Sequence, residues 1–254
     1  MITNSNAFFI LKQQIQSAID FSVLCCHAVP ALNAYIKAVE KGGAPKLPDA
    51  DHFKGDPNFE QLRGYIPEYR RNLGKLMFIN SFSYFEAYFK SLISEVLKFH
   101  GGQEAFVERA RERQHQHLVF AEDQKTKNAA NKLREHAKPS HSLKYVKYTN
   151  EIEHTDFRFP SELFAAFGIM ELGNSYSDLK ASQIPHVAQY CFGVELTAAD
   201  ITSFSSYRDL RNNVVHGKTL TVEFNEANAA NKFLRALALK IDKHVVRHFL
   251  VIEI

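Results

Sequence analysis

An all-α fold follows from three features of this sequence. No proline occurs between Pro67 and Pro139 or after Pro185, and only Gly74, Gly101 and Gly102 punctuate the first of those stretches. Helix interiors tolerate neither residue well, so both stretches read as mainly helical. Apolar residues recur along them at steps of three and four, which places side chains on one helical face. The alternation and turn spacing of β-strands is scarce throughout.

A first helix is expected from about Asn6 to Lys41, with Pro30 as a candidate break and Gly42-Gly43 as its end. A loop holding Pro45, Pro48, Gly55 and Pro57 follows. The second helix, from about Glu68 to His100, carries the strongest pattern. Phe78, Phe82, Phe85, Phe89, Leu92 and Val96 form one face, Ile93 widens it, and Gly101-Gly102 ends it. A charge-rich helix is expected from about Gln103 to Lys138, and residues 139–196 give a mixed pattern. Thr197 and Asp200 have capping-box spacing, with Asp in place of Glu or Gln, ahead of a helix that runs to about His216 and stops at Gly217. A last helix, capped by Asn225, presents Phe233, Leu234, Leu237, Ile241, Val245 and either His248 or Phe249 on one face. No internal repeat or low-complexity segment is present. The expected architecture is one domain over residues 1–254. Its core comes from about 6–100 and 197–250, with a helical or mixed insertion at about 101–196.

Composition narrows the function classes. A chain of 254 residues buries a sizeable core without disulfides or metals. Hydrophobic residues at 45% and charged residues at 23% describe a globular chain, not a disordered or fibrous one. No apolar run approaches the roughly 18 residues of a membrane span, and residues 1–6 lack the basic start of a signal peptide. Three cysteines, two of them adjacent (Cys25, Cys26), form no disulfide framework. They point to a reducing, cytoplasmic setting without a membrane partner. A net charge of +3 is too small to argue for nucleic acid by itself. Neither G-x-x-x-x-G-K nor G-x-G-x-x-G occurs, so no phosphate-cradling loop and no cofactor is expected.

The informative stretch is Tyr207-Arg208-Asp209-Leu210-Arg211-Asn212-Asn213-Val214-Val215-His216-Gly217-Lys218. At about 100° per residue, Phe204, Tyr207, Leu210, Val214 and Val215 make one apolar stripe, and Arg211 falls inside it. A guanidinium there needs an acid, a carbonyl or a bound anion. Gly217 is a natural residue to end the helix, so His216 is free to turn back at the helix exit, with Lys218 beside it. A fixed arginine next to an imidazole suits phosphodiester chemistry. The arginine binds phosphate oxygens bidentately and the histidine moves a proton, with no metal required. RNA supplies the nucleophile through its 2′-hydroxyl. One histidine cannot readily be both base and acid in one step, which makes a symmetric homodimer chemically attractive.

Arg211-Asn212-x-x-x-His216, near the end of a helix in an all-helical chain, resembles the R-x4-6-H motif of HEPN (higher eukaryotes and prokaryotes nucleotide-binding) domains. The aromatic segment Ser81-Phe82-Ser83-Tyr84-Phe85-Glu86-Ala87-Tyr88 resembles the helix that packs beside the motif helix in that superfamily. The resemblance implies an antiparallel helical bundle and a metal-independent endoribonuclease of toxin–antitoxin or anti-phage defence type. It implies RNA as substrate, a homodimer with the two motifs juxtaposed, and an antitoxin protein as a candidate partner. Carried over by position, Arg211 and His216 form the catalytic pair, Asn212 supports them, and Glu86 is the polar residue on the neighbouring helix. The resemblance covers about residues 6–100 and 197–250. The alternative is a HEPN-like module that binds RNA, a nucleotide or a protein without catalysis. In that case Arg211 pairs with Glu86 and His216 caps the helix C-terminus.

Other candidates are weaker. Residues 124–148 hold seven Lys and Arg against the single acid Glu135, with Tyr145 and Tyr148 interleaved. Lys144, Lys147, Tyr145 and Tyr148, with Arg208 and Lys218, are the candidate RNA contacts, since phosphates reward cations and unpaired bases stack on rings. Taken alone, the stretch reads more readily as a solvated helix face followed by a loop. His115 and His117, two apart on a helix, do not share a face and make a poor metal site.

Overall fold

A computed structural model describes residues 3–47, 58–120, 124–125, 127–128, 131, 160–163, 172–173, 178–219 and 221–253. Every regular element among them is helical. The α-helices are α1 (Asn6–Glu40), α2 (Phe59–Tyr65), α3 (Tyr69–Phe99), α4 (Gln103–Phe120), α5 (Pro160–Leu163), α6 (Ile184–His186), α7 (Ala198–Val215) and α8 (Phe224–His248). A 3₁₀ turn at Ala181–Gln183 leads into α6, and a π turn at Val187–Cys191 leaves it. The all-α expectation is met.

Several boundaries differ from the sequence reading. α1 runs unbroken through Pro30, where an exposed position lets the helix forgo one hydrogen bond. A short helix, α2, precedes α3; the Asn58 side chain accepts from the amides of Glu60 and Gln61. Asn225 caps nothing, because α8 already starts at Phe224. Pro185 stands in the first turn of α6, where its missing N–H costs nothing. The remainder of the helix expected to reach Lys138 falls mostly outside the described residues. α1 also contains an 18-residue window of mean hydropathy 1.4 with at most two charges, only 11% of it buried. By length and composition that window is apolar enough to cross a membrane, a property missed by counting uninterrupted apolar residues, because Ser, Asn and His residues interleave the helix.

Contacts divide the chain into two compact units. The first comprises residues 1–11, 85–208 and 234–254. Its core is aromatic: Phe85, Phe89, Phe106, Phe192, Phe204 and Phe249 are all at most 1% exposed. Phe249, not the half-buried His248, completes the apolar face of α8. Polar groups tie the periphery down. Both oxygens of Glu95 accept from the first amides of α1, Asn6 and Ala7, at 2.9 Å. Buried Asp242 accepts from Asn4, from the Ser5 amide and from the Ser5 hydroxyl. Burial pushes the Asp242 carboxyl above the usual range, while those hydrogen bonds pull it back. Glu253 accepts from the amide and hydroxyl of Ser161 on α5 at 2.7 and 2.6 Å.

The second unit comprises residues 12–84 and 209–233. It buries Ile15, Ile36, Leu73, Met77, Phe78, Phe82, Val214 and Val222. Arg63 of α2 bonds to Glu40 at the end of α1.

Candidate functional site

α7 carries the motif, and its two ends are built differently. At the start, the Thr197 amide donates to Asp200 Oδ2 at 2.9 Å and the Asp200 amide donates to Thr197 Oγ1 at 3.1 Å, the reciprocal box expected from the spacing. Asp200 also takes Lys240 Nζ at 3.0 Å. The hydrogen bonds from Thr197, with Lys240, hold its carboxyl below the usual range. One turn further, Phe204 is 1% exposed and packs against Phe85, ring centroids 5.7 Å apart.

At the far end the surface turns polar. Val214 is buried, whereas Val215, expected in the apolar stripe, is exposed because the helix stops there and nothing follows to cover it. Gly217 takes φ +71°, a backbone shape that residues with a Cβ rarely adopt. Its amide donates to Val214 O at 3.2 Å, and that of Lys218 donates to Asn213 O at 2.8 Å. This pair of bonds is a Schellman motif, and it satisfies the carbonyls of Asn213 and Val214. His216 is the residue at the turn. Its amide stays in the helix, donating to Asn212 O at 2.9 Å, and its side chain is exposed. Lys218 is exposed as well.

Arg211 is half-buried. Its Nη1 donates to the Asn212 side-chain oxygen at 3.1 Å, and its guanidinium carbon stands 5.8 Å from the centre of the Phe82 ring. The carbonyl that the stripe demanded is therefore supplied by the next residue in the chain, and a ring face supplies cation–π attraction. A helix C-terminus carries partial negative charge, so an anion reaching this exit must be drawn there by the side chains of Arg211, His216 and Lys218.

The chain beyond the exit is fixed by a residue that the sequence reading treated only as punctuation. A Cβ added to Gly74 of α3 would lie 2.4 Å from Val222 O and 3.0 Å from the amide of Phe224. Only glycine lets this segment lie flush on α3. Val222 is fully buried there, and Arg71 Nε reaches Glu223 Oε1 at 3.7 Å. The signal was present: Gly74 is the one glycine inside an otherwise strong helical pattern, a mark of close backbone approach.

Of the remaining predicted residues, Glu86 on α3 and Arg208 on α7 are half-buried and belong to the first unit, whereas Arg211, Asn212, His216 and Lys218 belong to the second. Lys144, Tyr145, Lys147 and Tyr148 lie outside the described residues. Among the described residues, no group of three or more His, Cys, Asp or Glu side chains could hold a metal.

Neither a curated protein nor a solved structure matches this chain. Residues 51–247 match the profile of the RiboL-PSP-HEPN family in one continuous stretch that takes in α3, the middle section and α7 with its motif. An all-helical fold carrying Arg211-Asn212-x-x-x-His216 at a glycine-stopped helix exit agrees with that match, and the chain belongs to the RiboL-PSP-HEPN family.

Proposed function

We propose that this protein is a metal-independent endoribonuclease whose active site is the exit of α7. The supporting observation is a contrast over about one and a half turns of helix. Arg211 is steadied by Asn212 and Phe82, while His216, five residues on, is exposed at the glycine stop. In the proposed reaction the 2′-hydroxyl loses its proton to an imidazole and its oxygen attacks the adjacent phosphorus. The bond from phosphorus to the 5′-oxygen breaks, and that oxygen takes a proton from an imidazolium. The products are a 2′,3′-cyclic phosphate and a 5′-hydroxyl. Arg211 stabilises charge on the phosphoryl oxygens as the transition state forms, and Asn212 keeps it aimed. His216 from each of two copies supplies base and acid, so the active species is a homodimer. Lys218 and Arg208 contribute attraction for the phosphate backbone. HEPN membership supports RNA or nucleotide as the ligand class and favours a cytoplasmic defence or toxin role, held silent by an antitoxin protein.

One observation favours a second reading, a HEPN module that binds RNA without cutting it. Arg211 is held by its own neighbours, as a purely structural arginine would be. Incubation of the purified protein with total RNA in EDTA, wild type beside His216→Ala, separates the two. Cleavage by the wild type alone, leaving cyclic-phosphate ends, supports catalysis. Salt-dependent binding without cleavage supports the second reading. Cleavage that needs added divalent metal, or that survives both His216→Ala and Arg211→Ala, contradicts the mechanism.

A further inference from the structure

We infer that His244 and His248 of α8 form a binding site for a divalent transition-metal ion of the zinc, nickel or copper class, apart from the α7 exit. The two histidines are four residues apart, so they are neighbours on one face of the helix. His115 and His117, two apart, lack that spacing. The His244 and His248 ring centroids lie 4.6 Å apart, with the planes tilted by 40°. Metal–imidazole bonds of about 2.0–2.1 Å let one ion reach a nitrogen on each of two rings at that separation. Both side chains are half-buried, so the pair is held by its surroundings and is still reachable from solvent.

Hydrogen bonding around the pair decides which nitrogen His244 has on offer. Its Nε2 is 2.7 Å from Phe192 O. A carbonyl oxygen only accepts, so Nε2 carries the proton and, in the neutral ring, Nδ1 carries the lone pair. An imidazole tied through its other N–H to a backbone carbonyl is the usual arrangement of a metal ligand, because that bond fixes the tautomer and the ring orientation. The carbonyl is itself well placed. It follows the π turn at Val187–Cys191, and Gly193 behind it takes φ +68° to turn the chain. His248 forms no hydrogen bond among the described residues and meets the other imidazole instead, so its ring serves neither as a cap nor as a tie to the backbone. Glu195 stands close enough to His244 for its charge to favour a cation, whereas Arg247 opposes one.

Imidazole donors suit zinc, nickel and copper, whereas calcium, magnesium and manganese prefer oxygen. With two protein ligands, water completes the coordination and the ion exchanges reversibly. Every residue of the site belongs to the first unit. The chain leaving Phe192 leads to the Thr197 cap of α7, so the ion is expected to steady the start of that helix and to take no part in chemistry at its exit. The inference stands whether or not the chain cuts RNA.

Calorimetric titration of the full, untagged chain with Ni²⁺ tests this, in a Cys25→Ser, Cys26→Ser background so that those thiols take no metal. Ni²⁺ should bind and raise the melting temperature, and Mg²⁺ at the same concentration should do neither. Adding His248→Ala should weaken Ni²⁺ binding by about tenfold or more and remove the rise in melting temperature, with circular dichroism showing the helices intact. Because the His248 ring carries no hydrogen bond among the described residues, this variant keeps its fold where His244→Ala, which loses the bond to Phe192 O, need not. His27→Ala and His115→Ala, at exposed histidines elsewhere, should leave binding unchanged. A chain that takes up no Ni²⁺ overturns the inference. So does an affinity untouched by His248→Ala, an equal loss in His27→Ala or His115→Ala, or an equal response to Mg²⁺.

Discussion

Two helices in this protein end in the same way but place their last histidines differently. α3 closes on His100-Gly101-Gly102 and α7 on His216-Gly217-Lys218. Each histidine amide bonds four residues back, each following glycine takes a positive φ (+82° and +71°), and each exit is completed by a 2.8 Å bond from the next amide. The side chains then part company. The His100 ring is stacked on Phe106 at 4.1 Å and bonds to Phe249 O at 2.6 Å, and Arg109 donates to its backbone oxygen. The His216 ring is exposed, in the turn after Arg211. A histidine before a glycine at a helix end is therefore no functional signal in itself. Its surroundings decide whether the imidazole is a structural fitting or a group open to substrate.

Parallel substitutions make that difference measurable. The largest expected effect is His216→Ala, which should lower RNA cleavage by about 10²–10⁴-fold with little change in melting temperature. His100→Ala should do the reverse, removing about 2–4 kcal/mol of stability while folded molecules keep their activity. A His216→Ala protein that unfolds as readily as His100→Ala would break the distinction. Next in size is Gly74→Ala, expected to cost about 1–3 kcal/mol by pressing a methyl group into Val222 O, read from chemical denaturation. Because it disturbs the segment leaving the α7 exit, it should also lower cleavage, whereas an equal loss of stability from His100→Ala should not. At the opposite end of α7, Thr197→Ala should cost about 0.5–2 kcal/mol through the lost cap, leaving cleavage per folded molecule unchanged.

The α3 exit should also make stability depend on pH. Burial holds the His100 imidazole below its ordinary value, as burial and the neighbouring His248 do for His244. Between the folded value and about 6.5 the unfolded chain binds more protons than the folded one, so stability rises with pH across that window and is lost as pH falls through it. Thermal melts from pH 7.5 to 5.5 should show this decline, and His100→Gln should flatten it.

Much of the fold was legible in the sequence because helical periodicity and glycine stops are local signals. The Phe stripe from Phe78 to Val96 is buried throughout, and Thr197 with Asp200 forms the box that the spacing announced. The misses were tertiary. Pro30 passes unbroken because its surroundings are solvent, Val215 is exposed because nothing packs on the helix end, and α2 is too short for periodicity to register. At the site, Arg211 could be seen to need a partner from its place in an apolar stripe. Asn212, beside it in the chain, provides one; that the Phe82 ring faces it, and that Gly74 clamps the segment beyond, depends on elements brought together only by folding.

The proposed chemistry at the α7 exit is tested most directly with one labelled RNA and its 2′-deoxy counterpart, each incubated in EDTA with wild type and with His216→Ala. Strand scission of the RNA by the wild type only, with a 2′,3′-cyclic phosphate and no cutting of the deoxy strand, is the predicted result. Scission of both strands, or equal scission of the RNA by the variant, would contradict it.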